Sequence, residues 1–138
     1  MNSYKIGDLY TGMSESFETE ITEDMMKKFS EISGDTNPLH NSDEFAVERG
    51  FKSKVVFGML CSCLFSTLAG VYLPGKYCLL HEVETKFKKP VFIGDVLTIR
   101  GEIADISEGL SRITVKASIK NQKNETVNTA VIKAGVIE

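Results

Sequence analysis

An α+β fold, in which an antiparallel sheet wraps around one long buried helix, is what this sequence predicts, and three observations carry the prediction. Short helical patterns crowd the first half of the chain. They are followed by one long apolar run, VVFGMLCSCLFSTLAGVYL, from Val55 to Leu73. From about Tyr77 to Val136 the chain then alternates as strands, broken by the turn signals KKPVFIGD, SEGLS and NQKNE.

Taken in order, MSESFET alternates weakly and reads as a first strand. Thr22 suits an N-cap, with Glu23 and Asp24 in the first turn of a helix running through about Ile32, and Met25, Met26 and Phe29 as its apolar face. Gly34 stops it. SGDTNPLH, Ser33 to His40, gathers Gly34, Asn37 and Pro38 and reads as an ordered loop, neither helix nor strand. Ser42 is a second N-cap, for a short helix in DEFAVERG that ends at Gly50. The apolar run is long enough to raise the question of a membrane span. It contains Gly58, Ser62, Ser66, Thr67 and Gly70, however, and suits a helix that is apolar all round and covered by a sheet. LPGK ends this helix, and its N-terminus falls at Gly58, where the first backbone N–H groups lack intrahelical partners. The later strands are expected at about Tyr77–Phe87, Val96–Ile106, Ile113–Lys120 and Thr126–Val136. No repeat or low-complexity segment divides the chain, so residues 1–138 are read as one domain.

Composition narrows the function. Sixteen basic against 19 acidic residues give a net charge of -3 with no long run of either sign, which argues against nucleic acid and anionic membranes as partners. A small, mostly neutral substrate fits better. MNSYKIGDLYTG lacks the apolar core of a signal peptide, so a cytoplasmic location is expected. Three cysteines, an odd number, agree with a reducing compartment. Cys61 and Cys63 would stand about 200° apart around a helix and so cannot grip one ion; with Cys78 they read as small buried hydrophobes. Two histidines and no carboxylate cluster offer no metal site.

Asp35 and His40 lie five positions apart, and a turn that folds the path back can bring their side chains to a shared point. The segments FSEISGDTNPLH, VVFGMLCSCLFS, LPGK and KFKKPVFIGD, in that order, resemble the MaoC-like hot-dog dehydratases, most closely the single-domain (R)-specific enoyl-CoA hydratases. The likeness runs from about Phe29 to Asp95. It implies a hot-dog fold, a homodimer or pair of dimers, and reversible addition of water to a trans-2-enoyl thioester of coenzyme A or acyl carrier protein, giving the (R)-3-hydroxyacyl product. No cofactor beyond the carrier in the substrate is implied. The resemblance also implies that Asp35 and His40 are the catalytic pair, that Asn37 supports the loop, that Gly58 gives a backbone N–H to the thioester oxygen, and that Ser66 matches a serine near the catalytic site. The sequence departs from the family at one point: Phe57-Gly58-Met59 stands where His-Gly-Met is usual. A backbone donor does not depend on its neighbour's side chain, so the change bears on loop ordering and substrate fit.

The chemistry explains why such residues are wanted. A base must take a proton from water as it attacks the β-carbon, and an acid must deliver one to the α-carbon; imidazole exchanges protons near neutral pH and a carboxylate can orient the same water. Which of Asp35 and His40 takes which part is left open by the sequence. Charge that develops on the thioester oxygen needs fixed donors, and losing one costs on the order of 3 kcal/mol in the barrier. At about 100° per residue, Gly58, Ser62, Ser66 and Ala69 make a stripe of small side chains that leaves room for an acyl tail, with Phe65 on the same face as the alternative end wall. His81 reads as a structural strand residue. Lys86, Lys88 and Lys89 read first as a solvated strand end and second as contacts for the coenzyme's phosphates. Two other functions compete. An acyl-CoA thioesterase commonly draws a carboxylate from the central helix, and Met59 to Leu73 has none. A non-catalytic acyl-CoA-binding module would not need the Asp-His pair.

Overall fold

Five strands, β1 (Ser14–Glu20), β2 (Cys78–Phe87), β3 (Val96–Ser107), β4 (Arg112–Lys120) and β5 (Thr126–Val136), form one antiparallel sheet in the order β1-β3-β4-β5-β2 in the computed structural model, which describes all 138 residues. β3, β4 and β5 follow one another as a meander, and β2 lies beyond β5 at the far edge. Along these strands burial alternates with the two-residue period of a sheet: Leu97 and Ile99 on β3, Ile113, Val115 and Ile119 on β4, and Ile132 and Ala134 on β5 all enter the core. They face α4 (Gly58–Thr67), whose Leu60, Cys61, Leu64 and Phe65 fill the concave side. This is the hot-dog arrangement that the resemblance implied.

The early elements follow their caps. α1 (Glu23–Ser33) begins where the Met25 N–H donates to Thr22 Oγ1 at 3.2 Å and ends at Gly34, whose φ of 72° is left-handed and favours glycine. α3 (Asp43–Glu48) begins with the Phe45 N–H donating to Ser42 Oγ. Between them the expected loop is corrected. Pro38–Asn41 is a helical turn, α2, because the Leu39 N–H donates to Asn37 Oδ1 at 2.9 Å and Pro38 occupies the first helical position, where a missing N–H costs nothing.

Two further expectations change. The long helix does not run evenly to Leu73: from Leu68 to Tyr72 it widens into a π turn, closed by the Leu73 N–H donating to Leu68 O at 2.8 Å. Packing accounts for where Leu68 sits. A Cβ on Gly101 would lie 2.8 Å from Leu68 Cδ2, so the leucine rests on the β3 backbone itself. Nor is the helix covered all round. Met59, Cys63 and Ser66, spaced three and four apart, form an exposed face opposite the sheet, so Cys63 is exposed and Cys78, on the edge strand, is half-buried; of the three cysteines only Cys61 is a core residue.

The two sheet edges differ. β1 carries glutamates and serines outward, whereas β2 leaves Leu79, Leu80, Val83 and Phe87 exposed. No helix is long and apolar enough to cross a membrane.

Candidate active site

The segment from Ser33 to His40 is held by its own polar groups. The Asp35 N–H donates to Ser33 Oγ at 3.1 Å, the Asn37 N–H donates to Asp35 Oδ1 at 3.0 Å, and Ser30 Oγ donates to the Asp35 carbonyl at 3.0 Å. One carboxylate oxygen of Asp35 therefore braces the turn and the other makes no hydrogen bond within the protein. The His40 N–H closes the next turn onto Asn37 O.

The His40 ring is oriented from two sides. Its Nδ1 lies 2.7 Å from the Val55 carbonyl oxygen. A carbonyl only accepts, so in the neutral ring the proton sits on Nδ1 and Nε2 presents a lone pair. The ring also packs at 4.4 Å on Phe57, which packs in turn at 4.9 Å on Phe29. Phe57, the departure noted above, is thus a buried wall behind the imidazole.

Phe57 also precedes α4 as its N-cap, without a side-chain cap, and the Gly58 N–H finds no acceptor in the protein. Gly58 faces two cavities of 340 Å³ each. The first is lined by Asp35, Ser33, Phe29 and Met59, the second by Lys88, Lys89, Cys61 and Asn128, and His40, Gly58 and Phe87 border both. Glycine leaves room for a close approach here: a Cβ would come within 2.9 Å of the Phe87 ring, which would have to shift. A substrate carbonyl set against the Gly58 N–H would therefore have Asp35 and His40 on one side and the lysines on the other.

Of the residues singled out from the sequence, Asp35, His40 and Gly58 come together on one cavity. Asn37 caps α2 and lines neither cavity. The stripe of small residues differs in burial along its length. Ser62 is buried behind the second cavity, where Asn128 Nδ2 donates to its Oγ at 3.3 Å; Ser66 is exposed with Met59 and Cys63; and Ala69 lies in the core, past the point where the helix widens. Ser66, Ala69 and Phe65 border neither cavity. Lys88 and Lys89 border the second, while Lys86 lies on another part of the sheet with Lys116 and Glu84. His81 is exposed at an irregularity in the β2–β5 pairing. Cys61 lines the second cavity, but burial pushes its thiol up to about 12, so it stays protonated and is no nucleophile.

Phe87 and Asn128 are among the lining residues that were not foreseen. Phe87 reads in the sequence as an ordinary strand end. Asn128 had a signal: it is the one polar member of the inward series Asn128, Ala130, Ile132, Ala134 and Val136 on β5.

Residues 10–128 match the family described as MaoC like domain. The chain is 37% identical over 107 residues to the (R)-specific enoyl-CoA hydratase of Aeromonas caviae, covering 76% of this chain and 80% of that protein. It is 31% identical over 130 residues to the (R)-specific enoyl-CoA hydratase of Rhodospirillum rubrum, covering 94% and 82%. Against the 3-hydroxybutyryl-CoA dehydratase of Methylorubrum extorquens it is 33% identical over 99 residues, covering 72% of this chain and 63% of that longer protein. Among solved structures, the A. caviae (R)-hydratase involved in PHA biosynthesis superposes with a TM-score of 0.89 at 30% identity, covering 93% of this chain and 97% of that one. With a family match spanning most of the sequence and relatives named as hydratases and dehydratases, the chain belongs to the MaoC-like family of hydro-lyases.

Proposed function

We propose that this protein is an (R)-specific enoyl-CoA hydratase, adding water reversibly to a trans-2-enoyl thioester. The observation that carries the proposal is the convergence on one cavity of the Asp35 carboxylate, the His40 imidazole and the unpaired Gly58 N–H. Water held between His40 Nε2 and the free Asp35 oxygen attacks the β-carbon. As the O–C bond forms, the π electrons move to the thioester and charge collects on its oxygen. The Gly58 N–H and the positive end of α4 meet that charge. The pair takes one proton from the water and returns one to the α-carbon, so neither residue is consumed. No cofactor enters this scheme, and acyl carrier protein would serve as carrier by the same chemistry.

We further propose that the chain works as a homodimer joined along β2, in the cytoplasm. The support for the dimer is the contrast of edges: an edge strand that carries exposed Leu79, Leu80 and Val83 and is paired on one side only is an edge that proteins normally cover. Phe87 at the end of that strand would bring the site close to the partner.

The test is to add crotonyl-CoA and follow enoyl absorbance and free thiol together. Absorbance lost without thiol, with (R)-3-hydroxybutyryl-CoA as product, is the expected result. Thiol release would mean a thioesterase, and neither signal would mean a binding module.

A further inference from the structure

The second cavity contains a polar group that the hydration chemistry does not use. Asn128 is 2% exposed, at an inward position of β5 otherwise occupied by apolar residues, and it borders the same cavity as Gly58 and His40. Its single side-chain hydrogen bond goes to Ser62 Oγ at 3.3 Å. No fully enclosed side-chain nitrogen or oxygen in the protein lacks a partner, so the unbonded Oδ1 opens onto the cavity. Turning the amide over changes little. Ser62 Oγ can donate as well as accept, and either orientation leaves one amide heteroatom on Ser62 and the other facing the cavity. An amide kept among valines and alanines in this way costs stability unless something completes its hydrogen bonds.

Resting on the hydratase reading, we propose that Asn128 binds the amide of the carrier arm that lies two methylenes from the thioester sulfur. The order of groups around Gly58 matches the order of groups in such a thioester. Asp35 lies on the first cavity and handles the reacting carbons with His40; His40 and Gly58, the donor to the carbonyl, border both; Asn128, Lys88 and Lys89 all lie on the second. Read from the β-carbon outward, a substrate offers carbonyl, sulfur, amide and finally phosphate. Whichever heteroatom faces the cavity can meet a secondary amide: a free Oδ1 accepts from its N–H, and a free Nδ2 donates to its carbonyl oxygen. Asn128 is on this account a binding residue that reads the carrier arm and takes no part in proton transfer.

The test compares two crotonyl thioesters, one of N-acetylcysteamine, which carries that amide, and one of propanethiol, which does not. The wild type is expected to favour the amide-bearing thioester in kcat/KM, and the preference is expected to shrink about tenfold in Asn128→Leu, the size of one lost hydrogen bond. Because both substrates are run on one preparation, the ratio does not depend on how much of the variant is folded, and Asn128→Ser serves if the leucine variant does not fold at all. An unchanged ratio, or a wild type that does not distinguish the thioesters, would overturn the role of Asn128 while leaving hydration standing. A wild type that hydrates neither thioester nor crotonyl-CoA would instead overturn the hydratase reading, and the Asn128 proposal with it.

Discussion

At its first residue α4 presents Gly58, partly exposed between two cavities with an N–H that bonds nothing, whereas beyond its last turn Leu68 and Ala69 are 0% and 2% exposed and their carbonyls accept from the Leu73 and Gly75 N–H groups. Both ends come from one apolar run. The difference lies in what each end leaves unsatisfied. An open backbone donor beside a carboxylate and an imidazole is available for chemistry, and a leucine seated on the glycine of a neighbouring strand is available only for packing. Substitutions at the first end should therefore cost rate, and substitutions at the second should cost stability.

The sharpest way to break this contrast is Gly58→Pro. Proline is tolerated at the first position of a helix, and Phe57, with φ -53° and ψ 125°, already has the extended conformation that a residue before proline needs. The exchange removes the N–H and leaves the intrahelical hydrogen bonds intact. Made in a Phe87→Leu background to relieve the ring contact, it should lower kcat on the order of 10²-fold relative to that background with an unchanged circular dichroism spectrum. Turnover within a few-fold of the background would show that the donor is not used.

At the other end, Ala69→Leu should overfill the core and destabilise the fold by about 1–3 kcal/mol, seen as a lower denaturant midpoint. Four-carbon and eight-carbon enoyl thioesters should lose rate together. A loss confined to the longer substrate would instead put the acyl tail along α4, as the stripe of small residues suggested.

The smallest effect concerns Cys61, between the two ends. Burial raises its thiol from 9.0 to about 12, so between those values the folded chain holds a proton that the unfolded chain releases. Its contribution is complete below pH 9 and is lost as pH rises through that window. Urea midpoints measured at pH 8, 10 and 11 should thus fall more steeply in the wild type than in Cys61→Ala; parallel slopes would contradict the assignment.

Much of the scaffold could be read from local chemistry. Thr22 and Ser42 capped the helices expected of them, and the last strand was bounded at Thr126 and Val136 because alternation and the NQKNE turn act over a few residues. The turn at Pro38–Asn41 escaped because Asn-Pro signals a loop and a helix start equally well, and only the donation to Asn37 Oδ1 separates them. Asp35, His40 and Gly58 were legible as motifs. The unequal burial along the Gly58–Ala69 stripe was not, since helical angles say which residues share a face and nothing of where the sheet ends or where a π turn shifts the register. Asn128 was legible from strand alternation as a polar residue in an inward series, but that the series passes His40 and Gly58 at Asn128 depends on the tertiary fold.

The measurement that bears most directly on the central claim is crotonyl-CoA hydration by Asp35→Asn and His40→Ala beside the wild type, each checked for folding by its denaturant midpoint. Loss of general acid–base groups predicts that kcat falls roughly 10²- to 10⁴-fold in both while both variants stay folded. Turnover near the wild-type rate in either folded variant would contradict the assignment of this pair as the catalytic centre.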